Sequence, residues 1–570
     1  MGRADRIACG GAGRGAGAAR RERRNNEMET PMITLYRARK IITMDHNCPQ
    51  ATHVAVRGGR VLAVGGADCA EGWGGVTADD RFADKVLMPG LIEAHAHVSA
   101  GGIWRYTYCG HYARTDPQGT VWEGVRSYDA LIDRLRAVAA DTPAGQPVVG
   151  WGFDPNFIEG RRLDAGHLDQ VSKDHPVAVI HSNFHLLSAN TRALAEAGLG
   201  EGANIEGVVK GADGRPNGEL QEFAAMEPVM TVARVNFSDM ADEAGLRAYG
   251  QTARNCGVTT VAELLSDLGE DEVAMLERVT AEPDFPVRYV PIMNAMVGAP
   301  EAEAARALAL RGRSTEKLHL GRAKLFTDGA IQGYTAKLKA PGYFNGPDNG
   351  MWNMEVDHFR AAVRALHEAG VKMHIHTNGD AASELAIEAI EEAQSRAPRR
   401  DLRHTLEHVQ LAGIDQFKRM RALGICVNLF ANHLYYFGDV HWTRTLGPDR
   451  ARRMDACADA AAIFGGDFAI HSDAPVTPMA PLFTAWCAVN RLTESGRKLG
   501  DSQQISVAQA LHCITLGAAY VLKLDDQVGS IQCGKWADFC VLGEDPLAVD
   551  PAALREVPVV ATVLGGRVLA

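Results

Sequence analysis

The chain has 570 residues, of which 46% are hydrophobic and 23% charged, the composition of an ordinary globular protein. Its formal net charge is −11 and no basic face stands out in the sequence, so we expect no nucleic-acid partner. No apolar run is long enough to cross a bilayer, so we expect no membrane partner either, and eleven cysteines without a CxxC pair are typical of reduced thiols in a cytoplasmic protein.

The first 31 residues differ from the rest of the chain. They are mainly glycine, alanine and arginine and have no apolar pattern. Such a segment cannot bury enough surface to order itself, so we predict a disordered extension. It lacks the apolar core of a secretory signal, although its arginine content would also suit a transit peptide. We favour an upstream start codon, with Met28 or Met32 as the true start.

Short β-branched segments separated by turn residues occur at both ends of the chain. ITLYRARKIITM and ATHVAVRGGRVLAVG lie within residues 32–88, and GSIQCGKWADFCVLG and VVATVLGGRVL lie within residues 520–570. We therefore predict a small β-sandwich domain to which both chain ends contribute.

Residues 89–519 alternate strand-like apolar runs with amphipathic helical stretches such as HFRAAVRALHEAG. This alternation predicts an α/β fold with a parallel sheet. Eight candidate strands suit a (β/α)8 TIM-like barrel; they are LIEAHAH, TTVAEL, VRYVPIM, RAKLFTDG, KMHIHTNG, RHTLEHV, GICVNLF and FAIHSD. The stretch of about 98–250, between the first two strands, is predicted to be an inserted subdomain.

Several of these strands end in ionisable side chains that an apolar core would exclude. The first strand carries His95 and His97, which share one face because side chains alternate along a strand. Later strands carry Lys324, His374, His376, His404, His408, His471 and Asp473. Burying such groups is unfavourable unless they are paired or bound to something. Because imidazole and carboxylate are preferred zinc ligands, and barrel enzymes place their chemistry at the C-terminal strand ends, we predict a divalent metal site here.

A single histidine is also a common hydrogen-bonded core residue, and some of these keep that interpretation. His374, His404 and His471 are assigned to orienting or packing roles. His404 and His408 are four residues apart, which also suits one face of a helix, but we prefer a strand.

Six ordered motifs, from about residue 33 to the C-terminus, resemble the metal-dependent amidohydrolase superfamily and its YtcJ-like (amidohydrolase-3) branch. They are MPGLIEAHAH, AKLFTDGAIQGYTA, HTNGDAA, RHTLEHVQL, SDAPV and GSIQCGKWADFCVLGEDP. The resemblance implies one or two divalent ions, with zinc the expected metal. The ligands that it implies are His95, His97, Lys324, His376, His408 and Asp473.

The resemblance also implies that Lys324 reacts with carbon dioxide to give a carboxylated lysine, since an ammonium group has no lone pair with which to ligate. A surface or salt-bridged lysine is the alternative, and Glu263 is the rival anionic ligand.

Two segments of the insertion resemble the family's substrate pocket and suggest Trp151, Asp154 and His185 as substrate-binding residues. Phe184 and Thr191 replace the usual glycine and serine of the second segment. A structural role for the three candidates is the alternative. The aromatic segment FANHLYYFGDVHW, residues 430–442, either lines a pocket for an apolar group or is a structural loop.

These features predict an enzyme that hydrolyses an amide-type C–N bond of a small molecule, either an N-acyl, N-formyl or cyclic amide compound. A metal-activated water would attack the carbonyl, with Asp473 as general base. Ester or lactone hydrolysis and a lyase or decarboxylase reaction are alternatives at the same site. A catalytically inactive regulatory or binding protein is the alternative from another class. Similar proteins are often dimers, so a homodimer is one option.

Overall fold

The computed structural model describes residues 32–569, apart from 159–161, 183, 185, 237, 347 and 348. The predicted extension, residues 1–31, and His185 lie outside the described residues. Within the described part, no helix is both long and apolar enough to span a membrane. The ten cysteines described are all unpaired.

The strands fall into three main sheets and one two-stranded ribbon. In chain order they are β1 (Ile33–Ile42), β2 (Gln50–Arg57), β3 (Arg60–Gly65), β4 (Val76–Pro89), β5 (Leu91–Ala96), β6 (Thr107–Tyr108), β7 (Arg114–Thr115), β8 (Val121–Trp122), β9 (Val148–Phe153), β10 (Val177–His181), β11 (Leu186–Ala189), β12 (Val208–Lys210), β13 (Pro216–Gln221), β14 (Val258–Ser266), β15 (Arg288–Asn294), β16 (Arg322–Phe326), β17 (Lys372–Thr377), β18 (Thr405–His408), β19 (Cys426–Leu429), β20 (Ala469–Ile470), β21 (Phe539–Leu542), β22 (Val559–Leu564) and β23 (Arg567–Val568).

The helices lie between the strands. They are α1 (Ser99–Gly102), α2 (Tyr128–Asp141), α3 (Ala165–Leu168), α4 (Thr191–Glu196), α5 (Glu222–Val232), α6 (Glu243–Asn255), α7 (Glu270–Thr280), α8 (Pro300–Arg311), α9 (Val356–Glu368), α10 (Asp380–Arg396), α11 (Ile414–Ala422), α12 (Asn432–Val440), α13 (Gly447–Ala451), α14 (Cys457–Phe464), α15 (Pro481–Asn490), α16 (Val507–Cys513) and α17 (Leu516–Leu522). Shorter helical turns occur at Ile103–Arg105, Ser238–Ala241, Ile331–Gly333, His441–Thr445, Asp501–Gln503 and Pro551–Glu556.

Local sequence explains where several helices begin and which face they bury. Ser127 caps α2 by accepting a hydrogen bond from the amide of Ala130, and Asp242 caps α6 in the same way. In α9, Phe359, Val363 and Leu366 are buried at helical spacing, so one apolar stripe packs against the barrel.

Strands from both ends of the chain form one seven-stranded sheet, in the order β23-β22-β21-β4-β1-β2-β3. An antiparallel β-bridge joins Arg60, on the edge strand β3, to Trp536, just before β21. The sheet therefore curves back on itself. The enclosed core includes Tyr36, Phe82 and Phe539. The predicted β structure built from both chain ends is therefore confirmed, with its layers joined in one continuous sheet.

The predicted (β/α)8 barrel is also confirmed. All eight candidate segments contain a strand of one parallel sheet, in the order β20-β19-β18-β17-β16-β15-β14-β5. A parallel bridge between Ala96 and Ala474 brings the first and last strands together. Glu93 of β5 accepts a hydrogen bond from Ser472 Oγ at 2.7 Å, which joins the two strands inside the barrel.

The segment between β5 and β14 forms its own six-stranded sheet, in the order β12-β13-β11-β10-β9-β6. It has separate apolar clusters, one of which contains Trp151, Ile180 and Met226. Arg114 connects this insertion to the barrel, because its guanidinium donates to the carbonyls of Pro475 and Val476 at 2.7 and 2.9 Å. The insertion is therefore anchored just beyond the last barrel strand.

Candidate metal centre

Strand β5 delivers His95 and His97 to the C-terminal rim of the barrel. Nδ1 of His95 donates to Glu407 Oε2 at 2.8 Å, and Nδ1 of His97 donates to Glu263 Oε1 at 3.1 Å, with the tautomers assigned from these contacts. The opposite nitrogen of each ring, Nε2, lies 3.4 Å from Oδ1 of Asp473. Two imidazole lone pairs that face one carboxylate repel it unless a cation lies among them. The donor set therefore fits a metal ion.

The charges at this position also favour a cation. Without a metal ion, a proton on Nε2 of His97 can take the place of the cation: burial would lower the pKa of His97, but its hydrogen bonds with Asp473 and Glu263 raise it to about 9. Burial would raise the pKa of Asp473, but the His97 hydrogen bond and the neighbouring imidazoles hold it below its ordinary value. Positive charge is therefore stabilised between the two carboxylates.

A second pair of histidines lies beside the first. Nδ1 of His376 is 3.1 Å from Nε2 of His408, and the ring centroids of His95 and His408 are 4.6 Å apart. Nε2 of His376 lies 3.3 Å from the carbonyl oxygen of Gly329 and 3.1 Å from the side-chain amide of Asn378. Donation to the carbonyl would place the lone pair of His376 on Nδ1, on the side of His408.

His408 reaches this place through an unusual backbone conformation. Strict alternation along β18 would point His408 to the same side as Leu406, which is buried in the core outside the barrel. His408 instead has a φ of +68° and Val409 a φ of +40°, so the strand ends by turning. Both Glu407 and His408 can then point into the barrel, although they are adjacent in sequence.

Lys324 is fully buried, and within the described part of the chain its Nζ has neither a hydrogen-bond partner nor an ion pair. The alternative of a surface or salt-bridged lysine is therefore wrong. Burial lowers the pKa of Lys324 to about 8, even though Glu407, Asp473 and Glu263 act against this shift. Glu263, the rival anionic ligand, uses its two oxygens to accept from His97 and from the amides of Val98 and Leu265.

The three histidines assigned to orienting or packing roles occupy different depths. His404 lies just before β18, where Nε2 is 3.0 Å from Nδ1 of His367. His374 is buried on β17, with Nδ1 2.6 Å from Glu407. His471 lies at the centre, because nitrogen atoms of His95, His408 and His471 are all within 4.8 Å of one another.

Two carboxylates that the sequence reasoning missed lie inside the barrel. Glu407 accepts from His95, from His374 and from Asn428, the last at 2.8 Å. Glu93 lies two residues before His95 on the same strand face, a spacing that could have identified it. Burial raises the pKa of Glu93 to about 8.

The insertion supplies two of the predicted substrate-binding residues. Trp151 is only 1% exposed, and its ring contacts Trp104 and Tyr108 at centroid distances of 5.1 and 4.9 Å. Asp154 is also buried and accepts from Ser182 Oγ at 2.8 Å. These contacts lie within the insertion, where both side chains are buried, and direct contact with a substrate stays a prediction.

The predicted aromatic segment forms α12 and its flanks. Phe430 stacks on His471 with a centroid distance of 4.9 Å, so a cluster of aromatic side chains begins at the candidate centre. Phe437 continues it to Phe157 of the insertion, 5.4 Å away. Tyr436 contacts Tyr112 of the insertion at 4.8 Å. Barrel and insertion therefore meet through aromatic side chains that extend outwards from the histidine cluster.

The model of the amidohydrolase family matches residues 83–570. The putative amidohydrolase YtcJ of Bacillus subtilis (strain 168) is 27% identical over 499 residues, which are 85% of this chain and 89% of that protein. The N-substituted formamide deformylase of Arthrobacter pascens is 26% identical over 571 residues, covering 91% of this chain and 95% of that protein.

A solved structure shares the fold. An uncharacterized metal-dependent hydrolase from Pyrococcus horikoshii superposes with a TM-score of 0.69 and 20% identity, covering 91% of this chain and 99% of the other. The family match spans most of the chain and includes the barrel and the end of the N-terminal strands. The chain therefore belongs to the amidohydrolase family and is similar to its YtcJ-like members.

Proposed function

We propose that this protein is a metal-dependent hydrolase that cleaves an amide-type C–N bond in a small molecule. The observation that carries the proposal is the convergence of His95 and His97 on the Asp473 carboxylate, each held by a carboxylate on its other nitrogen. The name of the Arthrobacter pascens relative, an N-substituted formamide deformylase, supports an N-formyl or related amide as the substrate class.

Six residues would hold one or two divalent ions, with zinc the expected metal: His95, His97, Lys324, His376, His408 and Asp473. A bound ion of this kind supplies water of lowered pKa and polarises a carbonyl oxygen. Lys324 would act as an anionic ligand in its carboxylated form. Its Nζ is buried and has no hydrogen-bond partner among the described residues, which supports that role.

The residues around the centre would orient the donors and move the proton. Glu407 and Glu263 hold the rings of His95 and His97 with Nε2 directed at the site. Asp473 would take the proton of the attacking water on its carboxylate and return it to the leaving nitrogen, as a general base that then acts as an acid.

The aromatic cluster between barrel and insertion supports a substrate with an apolar or aromatic group next to the amide. Phe430 and Phe437 lie on the barrel side, and Tyr112 and Phe157 on the insertion side. Trp151, Asp154 and His185 stay predicted pocket residues. A cytoplasmic location and a homodimer also stay predictions.

Asp473→Asn tests the proposal. Asp473 has a φ of +54°, which asparagine tolerates, so the backbone should be kept. We expect the variant to retain its metal while turnover falls by about 10²–10⁴-fold, the range for loss of a general base. Metal content would be measured by elemental analysis, and turnover on N-substituted formamides and N-acyl amides, with esters and carboxylates screened beside them.

The matched control is Asp415→Asn, at the exposed start of α11, which should leave both quantities unchanged. Near-normal turnover in the Asp473 variant would refute the general-base role. Turnover of esters or carboxylates alone would refute the amide assignment.

A further inference from the structure

The ring of His471 is fixed inside the candidate centre, although the ligand set does not use it. It is fully buried and stacks between Phe430 and His95, with centroid distances of 4.9 and 4.7 Å. Its Nε2 lies 3.1 Å from Nδ1 of His408. Its Nδ1 has no hydrogen-bond partner in the described part of the chain. Stacking on both faces therefore holds Nε2 in position against His408.

His408 differs from the other proposed histidine ligands in what orients it. His95, His97 and His376 each have an oxygen atom next to the ring nitrogen that faces away from the centre. For His408 the corresponding partner is a nitrogen atom of His471. An oxygen of a carboxylate or carbonyl can only accept a hydrogen bond, whereas a neutral imidazole has one donor and one acceptor nitrogen.

We propose that His471 is a positioning residue of the metal centre, an inference that rests on the proposed function. Its Nε2 accepts the hydrogen bond of His408 Nδ1–H, which selects the tautomer whose Nε2 lone pair faces His376. In the reverse arrangement, His471 would donate from Nε2, and His408 would carry its proton on the nitrogen needed for the metal. His471 thus determines whether His408 is available as a ligand.

Three substitutions separate this role from packing and from direct ligation. His471→Phe keeps the planar ring between Phe430 and His95 but removes the acceptor. His471→Gln places an amide oxygen near the position of Nε2. His471→Asn carries the same amide on a side chain that is too short to place its oxygen there. The smaller Asn variant also guards against misfolding of the Phe variant, and circular dichroism checks the fold of each.

The measurement is the affinity of the metal-free full chain for Zn²⁺, by competition with a chromophoric chelator, together with the absorption spectrum of the Co²⁺-loaded protein. We expect the Phe and Asn variants to bind Zn²⁺ about 10–100-fold more weakly than wild type, the usual effect of losing such a partner. The Gln variant should bind within a few-fold of wild type and keep its Co²⁺ spectrum.

If the Phe and Asn variants bound Zn²⁺ as tightly as wild type, the positioning role of His471 would be overturned, while the proposed function would stand. A Gln variant as weak as the Phe variant would also overturn it, because the imidazole itself would then be the ligand. If wild type bound no Zn²⁺, the proposed function would fail, and this inference with it.

Discussion

Two of the proposed ligands have backbone conformations that L-residues rarely adopt. His408 and Asp473 both have positive φ values, +68° and +54°. His408 closes β18, where continued alternation would point its side chain out of the barrel, and Asp473 lies in the turn that follows β20. Residues in sparsely populated backbone regions cluster at functional sites because surrounding contacts hold them there. At the rim of this barrel, the turn of the backbone brings adjacent side chains to the same centre.

Lys324 gives the first residue-scale prediction. Its neutral amine would add to carbon dioxide, forming an N–C bond and releasing one proton, to give a carbamate. We expect Lys324→Met to lose most of its bound metal and its hydrolytic activity, because methionine fills the space but offers no anionic oxygen. In ¹³C-bicarbonate, wild type should show a carbamate signal by NMR that the variant lacks.

Lys339→Met is the control, since Lys339 is partly exposed and pairs with Glu384 at the surface. It should keep the metal and the NMR signal. A Lys324 variant with wild-type metal content and activity would show that Lys324 is not a ligand.

Lys372 gives a prediction about pH. Burial lowers the pKa of Lys372 to about 7 from an ordinary value of 10.5, while its Nζ donates to Thr405 Oγ1 at 2.8 Å. Between these two values the unfolded chain binds more protons, so this group makes the free energy of unfolding rise with pH by up to about 1.4 kcal/mol per pH unit. The stability that neutral Lys372 contributes is fully present above its pKa in the unfolded chain. It is lost as the pH falls through its pKa in the folded protein.

Lys372→Met removes this dependence. We therefore expect the Tm of the variant, relative to wild type, to decrease as the pH rises from about 7 to about 10. Lys523→Met, at a partly exposed lysine, should show a constant difference from wild type over the same range. A constant difference for Lys372→Met as well would contradict the prediction.

At the scale of elements, the sequence was most informative about the barrel strands. Each is a short apolar run bounded by turn residues, a pattern that depends only on residues close together in the chain. The sequence therefore locates all eight strands. The partners of the histidines depend on contacts across the barrel. Glu407 is 312 residues from His95, and no local pattern joins them. The sequence alone indicates only an orienting or packing role for His471 for the same reason, since its neighbours come from other strands.

The junction between insertion and barrel gives an element-scale prediction. Arg114 donates two hydrogen bonds to the carbonyls of Pro475 and Val476, and the amide of Val476 donates to the carbonyl of Asp473. Arg114→Met removes two charge-assisted bonds, so we expect hydrogen exchange in the segment 473–477 to accelerate about tenfold or more. Exchange would be followed by mass spectrometry of the native protein.

Arg136→Met is the matched control, because Arg136 lies on α2 of the same insertion and is largely exposed. It should leave exchange in that segment unchanged. Equal exchange in the Arg114 variant and wild type would mean that the insertion does not stabilise the end of the last strand.

At the scale of the whole molecule, the terminal sheet and the barrel are joined by a buried ion pair. Arg288, at the start of β15, donates to both oxygens of Asp538 at 2.8 and 3.1 Å. Trp536 lies against the guanidinium, with the ring centroid 4.2 Å away. The chain ends are therefore attached to the barrel by a charged contact from which water is excluded.

Removing the carboxylate should destabilise the folded protein strongly. Asp538→Asn removes the carboxylate that accepts from two guanidinium nitrogens of Arg288, and leaves Glu316, half exposed and 3.4 Å from Nη1, as its acidic partner. Because the buried guanidinium then lacks its close counter-charge, the free energy of unfolding should fall by about 3–5 kcal/mol. We expect a clear decrease in the urea midpoint and in Tm, measured by circular dichroism at a fixed scan rate. Glu196→Gln breaks an exposed pair with Arg192 and should change the same quantities by less than about 1 kcal/mol. Similar effects of the two substitutions would mean that the pair does not join the chain ends to the barrel energetically.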